Sequence, residues 1–68
     1  MKYTEKDDTI TLEMSRGDYN HLLLALGMAA GLASDKPTFW KWIEFTNRLN
    51  AGNPHFTPYE IPDEFKTP

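Results

Sequence analysis

Leu22 to Ala33 reads LLLALGMAAGLA, twelve consecutive residues without a polar side chain. Wound as a helix, this segment is apolar around its whole circumference and has to be covered on every side. A chain of 68 residues holds one domain, 1–68, and one core. A fold of that size buries only about 60% of the surface its unfolded chain exposes. The stretch therefore asks for more cover than the rest of the polypeptide supplies. Small scaffolds usually gain stability from disulfides, a metal or association. The absence of cysteine removes disulfides and thiolate metal sites. His21 and His55 are far apart, with no further ligands at metal-binding spacing. Association is the remaining device.

Working outward, Thr9 to Met14 alternate strictly, with Ile10, Leu12 and Met14 on one side and Thr9, Thr11 and Glu13 on the other. That is the period-2 pattern of a half-buried strand. Lys2 to Glu5 can add a second strand through a Lys6-Asp7-Asp8 turn, so residues 1–14 are predicted as a strand or hairpin. Ser15 then starts a helix over 15–33. Its hydroxyl can accept from the Asp18 N–H, and Met14 and Tyr19 can staple the first turn. At 100° per residue, Tyr19, Leu22, Leu23, Leu26, Ala29, Ala30 and Ala33 form one broad face. Leu24, Met28 and Leu32 form a second stripe, with Gly27 and Gly31 beside it. A glycine inside a helix costs about 1 kcal/mol against alanine, so close approach of another backbone is the reading we give these two. If it is, Leu24, Gly27, Met28, Gly31 and Leu32 face a partner; otherwise the strand and the chain's last segment cover them.

Ser34-Asp35-Lys36-Pro37 breaks the helix, with Ser34 or Asp35 able to cap the next one. A second helix, antiparallel to the first, is predicted over 37–51. Phe39, Trp42, Ile43, Thr46 and Leu49 share its buried face, with Phe45 at the margin. Trp40 points away among Lys41, Glu44 and Arg48, where it serves as an interface anchor or lies under Phe56 or Tyr59. Gly52 and Pro54 end the helix. Residues 54–68 carry four prolines yet keep Phe56, Tyr59, Ile61 and Phe65. An extended, proline-rich arm that packs on the helices of its own or a neighbouring subunit is expected. The fold class is thus α+β, mostly helical, and a homodimer is expected.

Composition narrows the function. The apolar run is shorter than the roughly 20 residues a bilayer span needs, and it follows an acidic segment unlike the basic start of a signal peptide. A small, soluble, cytoplasmic protein with no membrane role is the expectation. The net charge of −3 gives no general attraction to nucleic acid. Arg16-Gly17-Asp18 falls on a helix's first turn, not on an exposed adhesion loop. The acids Glu5, Asp7, Asp8 and Glu13 lack calcium-loop spacing. Neither Ser15 nor Ser34 has a histidine nearby in sequence to activate it. Asp63-Glu64 sits in a proline-rich stretch unsuited to acid–base work. Gly27-x-x-x-Gly31 lacks the Lys and Ser/Thr of a phosphate loop. No catalytic residue, cofactor, metal or small-molecule ligand is predicted.

The order strand, helix, break, helix over Thr9 to Asn50 resembles the ribbon–helix–helix regulators. In that family two chains pair their strands into a ribbon that enters the DNA major groove. The resemblance implies base contacts from Thr9, Thr11 and Glu13. These are not the strong readers Arg, Lys, Asn and Gln, and the strand end is net acidic despite Lys2, Lys6 and Arg16. The preferred expectation is a non-enzymatic protein–protein interaction module, a homodimer or a subunit of a larger complex. Its contact residues would be Leu24, Gly27, Met28, Gly31, Leu32 and Trp40. A dimeric DNA-binding regulator or antitoxin is the alternative.

Overall fold

A computed structural model describes residues 1–66; the end of the expected arm, residues 67–68, lies outside the described residues. Strands β1 (Lys2–Lys6) and β2 (Thr9–Glu13) pair as an antiparallel hairpin. Tyr3 stands opposite Leu12, Glu5 opposite Ile10, and Lys2 opposite Glu13. Successive strand side chains alternate between faces. Tyr3, Glu5, Ile10 and Leu12 therefore share one face, and the lysines, threonines and Glu13 share the other. The turn is Asp7-Asp8, one residue tighter than expected, with Asp7 at φ 55°. Aspartate is among the residues that tolerate this left-handed region, so the hairpin needs no glycine.

Helix α1 (Arg16–Gly31) begins where Ser15 predicts it: the Asp18 N–H donates to Ser15 Oγ at 3.1 Å. It closes two residues before Ala33, with the Leu32 N–H donating to the Met28 carbonyl at 3.0 Å. Helix α2 (Lys36–Leu49) is capped by Asp35, whose Oδ1 accepts from the Thr38 N–H at 2.8 Å. Pro37 sits in the first turn, where its missing N–H is not required. Past the end of α2, Gly52 takes φ 84°, the left-handed conformation that glycine adopts without steric cost.

The two helices run in opposite senses. Tyr19, early in α1, accepts through its hydroxyl from Asn53 Nδ2 just past α2 at 3.3 Å. Between the helices lie the only buried apolar side chains among the described residues, Leu26 and Ala30. Opposite them are two buried polar groups, Thr46 and Asn50. Neither is left unpaired: Thr46 Oγ1 donates to the Trp42 carbonyl at 2.9 Å and Asn50 Nδ2 to the Thr46 carbonyl at 2.8 Å. Asn53 Nδ2 also donates to Asn50 Oδ1, extending the network toward Tyr19.

After α2 the chain is irregular apart from a 3-10 turn at Asp63–Phe65. Asn47 holds it through two bonds that imitate a strand pair: its Nδ2 donates to the Tyr59 carbonyl at 2.9 Å, and its Oδ1 accepts from the Tyr59 N–H at 3.0 Å. Phe65 stacks on Trp40 with ring centres 6.2 Å apart and planes 25° from parallel. Around α2, Trp40 and Asn47 lie on one side of the buried line Ile43–Thr46–Asn50, and Trp42, Phe45 and Leu49 lie on the other. Residues 54–66 thus occupy one side of the helix pair.

The α2 cap also gives a pH dependence. The Thr38 N–H, followed by the Thr38 side chain, holds the Asp35 carboxyl below its usual range. A folded-state pKa below the unfolded value of about 3.9 means that the contribution is complete above that value and is lost as pH falls through the folded one. Urea titrations at pH 5 and pH 3 are expected to show a smaller acid-induced loss for Asp35→Asn than for the parent chain.

Candidate functional site

The face of α1 turned away from α2 carries Leu24, Met28 and Leu32 at successive turns, and these are 63%, 60% and 83% exposed. Neither the hairpin nor residues 54–66 lie over them, so the described residues do not supply the cover that the sequence asks for. Full burial of one such side chain is worth about 1.5–3 kcal/mol. Three left mostly in water forgo several kcal/mol, which is comparable to the few kcal/mol a core of this size yields. Gly27 and Gly31 flank the stripe, and a Cβ built on either meets no atom within 4 Å. Among the described residues, nothing therefore requires the Cβ to be missing at either position. The glycines leave two notches beside a leucine–methionine ridge.

Trp40 belongs to another environment. It is half-buried between Phe65 and Phe39, whose ring meets it edge-on at 4.9 Å. The covering ring is Phe65, not Phe56 or Tyr59; those two pack edge-on against each other at 5.7 Å. Five of the six residues expected to meet a partner therefore form one exposed surface on α1, and the sixth joins an intrachain aromatic stack.

Three side chains on the apolar face identified by periodicity, or at its margin, are open to solvent. Trp42, Phe45 and Leu49 line the side of α2 opposite residues 54–66, and each is more than a third exposed. The buried face of α2 is rotated away from them, toward Ile43, Thr46 and Asn50. Helical periodicity identifies an apolar face on α2, but not which part of it the neighbouring helix covers. Trp42 and Phe45 meet edge-on at 6.3 Å, and the Arg48 guanidinium lies 5.8 Å from the centre of the Phe45 ring.

The hairpin's apolar side corrects the sequence reading in the same way. Ile10 and Leu12, expected to be half-buried, are 57% and 53% exposed. Beside them Tyr3 donates its hydroxyl proton to the Glu5 carboxylate, which pushes the phenol above its ordinary pKa. Two strands alone cannot enclose a face, and this pair leans over the helices without closing on them. An open apolar groove of about 340 Å³ remains, lined by Ile10, Leu12, Met14, Tyr19, Leu22 and Leu49.

Global dimensions agree with these local observations. The accessible surface is 5775 Å² for 7.8 kDa, whereas a closed monomer of that mass exposes about 4,400 Å². The radius of gyration is 13.5 Å, against about 11 Å for a compact chain of this length. Among the described residues no group of three or more His, Cys, Asp or Glu is placed to hold a metal ion. No helix among them is long and apolar enough to cross a membrane. Comparison with protein-family models, curated proteins and solved structures gives no match to this chain.

Gly27→Ala tests the notch. Alanine fits the isolated chain without contact and gains up to about 1 kcal/mol in helix propensity. Chemical denaturation in dilute solution should show that gain, while any complex that brings a backbone against Gly27 should weaken.

Proposed function

We propose that this chain is a small non-enzymatic protein–protein interaction module that works as a homodimer or as one subunit of a larger complex. The observation that supports this most directly is the Leu24, Met28 and Leu32 ridge standing in water with glycine notches beside it. The chain exposes roughly 1,400 Å² beyond the closed-monomer expectation, which exceeds the approximately 800 Å² per partner of a standard protein interface. The uncovered side chains include Leu24, Met28 and Leu32 on α1, Trp42, Phe45 and Leu49 on α2, and Ile10 and Leu12 on the hairpin. Such a surface recognises another apolar protein surface and offers a small polar substrate little to bind.

Light scattering tests the proposal. Self-association predicts twice 7.8 kDa at micromolar concentration. Met28→Glu places a charge in the ridge without touching the intrachain core, so far-UV circular dichroism should be retained. Its association constant should fall at least 30-fold, the equivalent of a hot spot of about 2 kcal/mol. A parent chain at 7.8 kDa that captures no protein partner would refute the proposal.

A second reading, DNA binding by the hairpin, draws on the strand register. It puts Lys2 and Lys6 on the same face as Thr4, Thr9 and Thr11, adding two cations to the threonines identified from the strand alone. Glu13 shares that face, and Asp7 and Asp8 form its tip. On this reading, generic duplex DNA retains the protein at low ionic strength and releases it steeply as salt rises. Failure to bind at low salt removes it.

A further inference from the structure

The ridge is not the only uncovered apolar surface. The groove under the hairpin, with Ile10 and Leu12 as one wall and Leu22 and Leu49 as the other, is equally unoccupied. A symmetric contact of α1 on α1 would cover the ridge and leave this groove as open to water as before. We propose that the two surfaces are the two halves of one reciprocal interface. The ridge of one copy seats in the hairpin-walled groove of a second copy, and the second copy's ridge seats in the groove of the first. This inference rests on the self-association reading above and specifies its geometry.

Shape, reach and area carry it. The ridge is convex, with Leu24, Met28 and Leu32 projecting in a row and Gly27 and Gly31 along one side of it, where there is no Cβ to widen it. The groove is concave and bordered by aliphatic groups, so the two match in curvature and chemistry. A chain cannot fill its own groove with its own ridge. Leu22 lines that groove from the same rigid helix, and at 100° per residue Met28 points about 120° away from it. The occupant must come from another molecule, and a second copy carries the matching ridge. Both surfaces avoid the side of the helix pair taken by residues 54–66. Two copies can therefore exchange them about a two-fold axis, which closes the assembly at two. Reciprocal seating covers both patches at once, and the chain's total surface exceeds the closed-monomer expectation by roughly 1,400 Å², more than the roughly 800 Å² per partner that a standard interface takes.

Because the chain has no cysteine, single introduced thiols report this geometry directly. Leu12→Cys and Met28→Cys chains, both altered at exposed positions, are co-refolded and treated with a short bis-maleimide. Reciprocal seating predicts cross-linked dimer in the mixture at ten-fold or greater yield over either variant alone. Ile10→Cys with Leu32→Cys serves as a second pair if one variant folds poorly, with circular dichroism as the check on folding. Strong cross-linking of Met28→Cys with itself, and none in either mixed pair, would overturn reciprocal seating while leaving a dimer. Assemblies larger than twice 7.8 kDa would overturn the closed two-fold form. An uncross-linked parent at 7.8 kDa would instead defeat the self-association reading beneath it.

Discussion

The chain's architecture is governed by an imbalance of apolar surface. Helix α1 has no polar side chain over its last two-thirds, and the polypeptide has one helix, one hairpin and a short irregular segment with which to enclose it. Each covering element reaches a different part of the helix. Helix α2 takes the face of Leu26 and Ala30. Residues 54–66 cover an adjoining side through Phe56 and Tyr59, which approach Leu23 and Gly27. The hairpin leans over Leu22. Among the described residues nothing covers Leu24, Met28 and Leu32, because the covering elements are already committed elsewhere.

Asparagine holds together what the small core cannot. Asn50 is buried at the interhelical contact and ties the last turn of α2 to Thr46. Asn53 joins that turn to Tyr19 on the other helix. Asn47 fixes residues 54–66 by donating to the Tyr59 carbonyl and accepting from the Tyr59 N–H. A side-chain amide offers both a donor and an acceptor, so a helix can hold an extended segment with one residue. These contacts confine residues 54–66 to one side of the helix pair, and that confinement leaves the other side available for docking.

Ligand chemistry is correspondingly sparse. The ionisable groups lie mostly on the polar hairpin face and at helix ends. The best-defined of them have structural duties: Asp35 caps α2, and Glu5 accepts from Tyr3. The open groove is aliphatic. That distribution is what the proposed protein–protein role draws on.

Much of the local structure was legible in the residues. Strict alternation marks β2, Ser15 and Asp18 mark the start of α1, Pro37 and Asp35 mark the start of α2, and Gly52 and Pro54 mark its end. Each is a short-range signal in which a side chain bonds or constrains a backbone only a few residues away. The stripe of Leu24, Met28 and Leu32 was legible for the same reason, since helical periodicity alone brings these side chains together. Which apolar faces are covered was not. Trp42 and Leu49 share a wheel face with Ile43 and Thr46, and only the placement of α1 leaves the first pair in water and buries Thr46. Trp40 stacks on Phe65, 25 residues away, because Asn47 fixes the path of the intervening chain. Periodicity describes one element at a time, whereas burial depends on how several elements share one another's surfaces, and that was decided only by the tertiary structure.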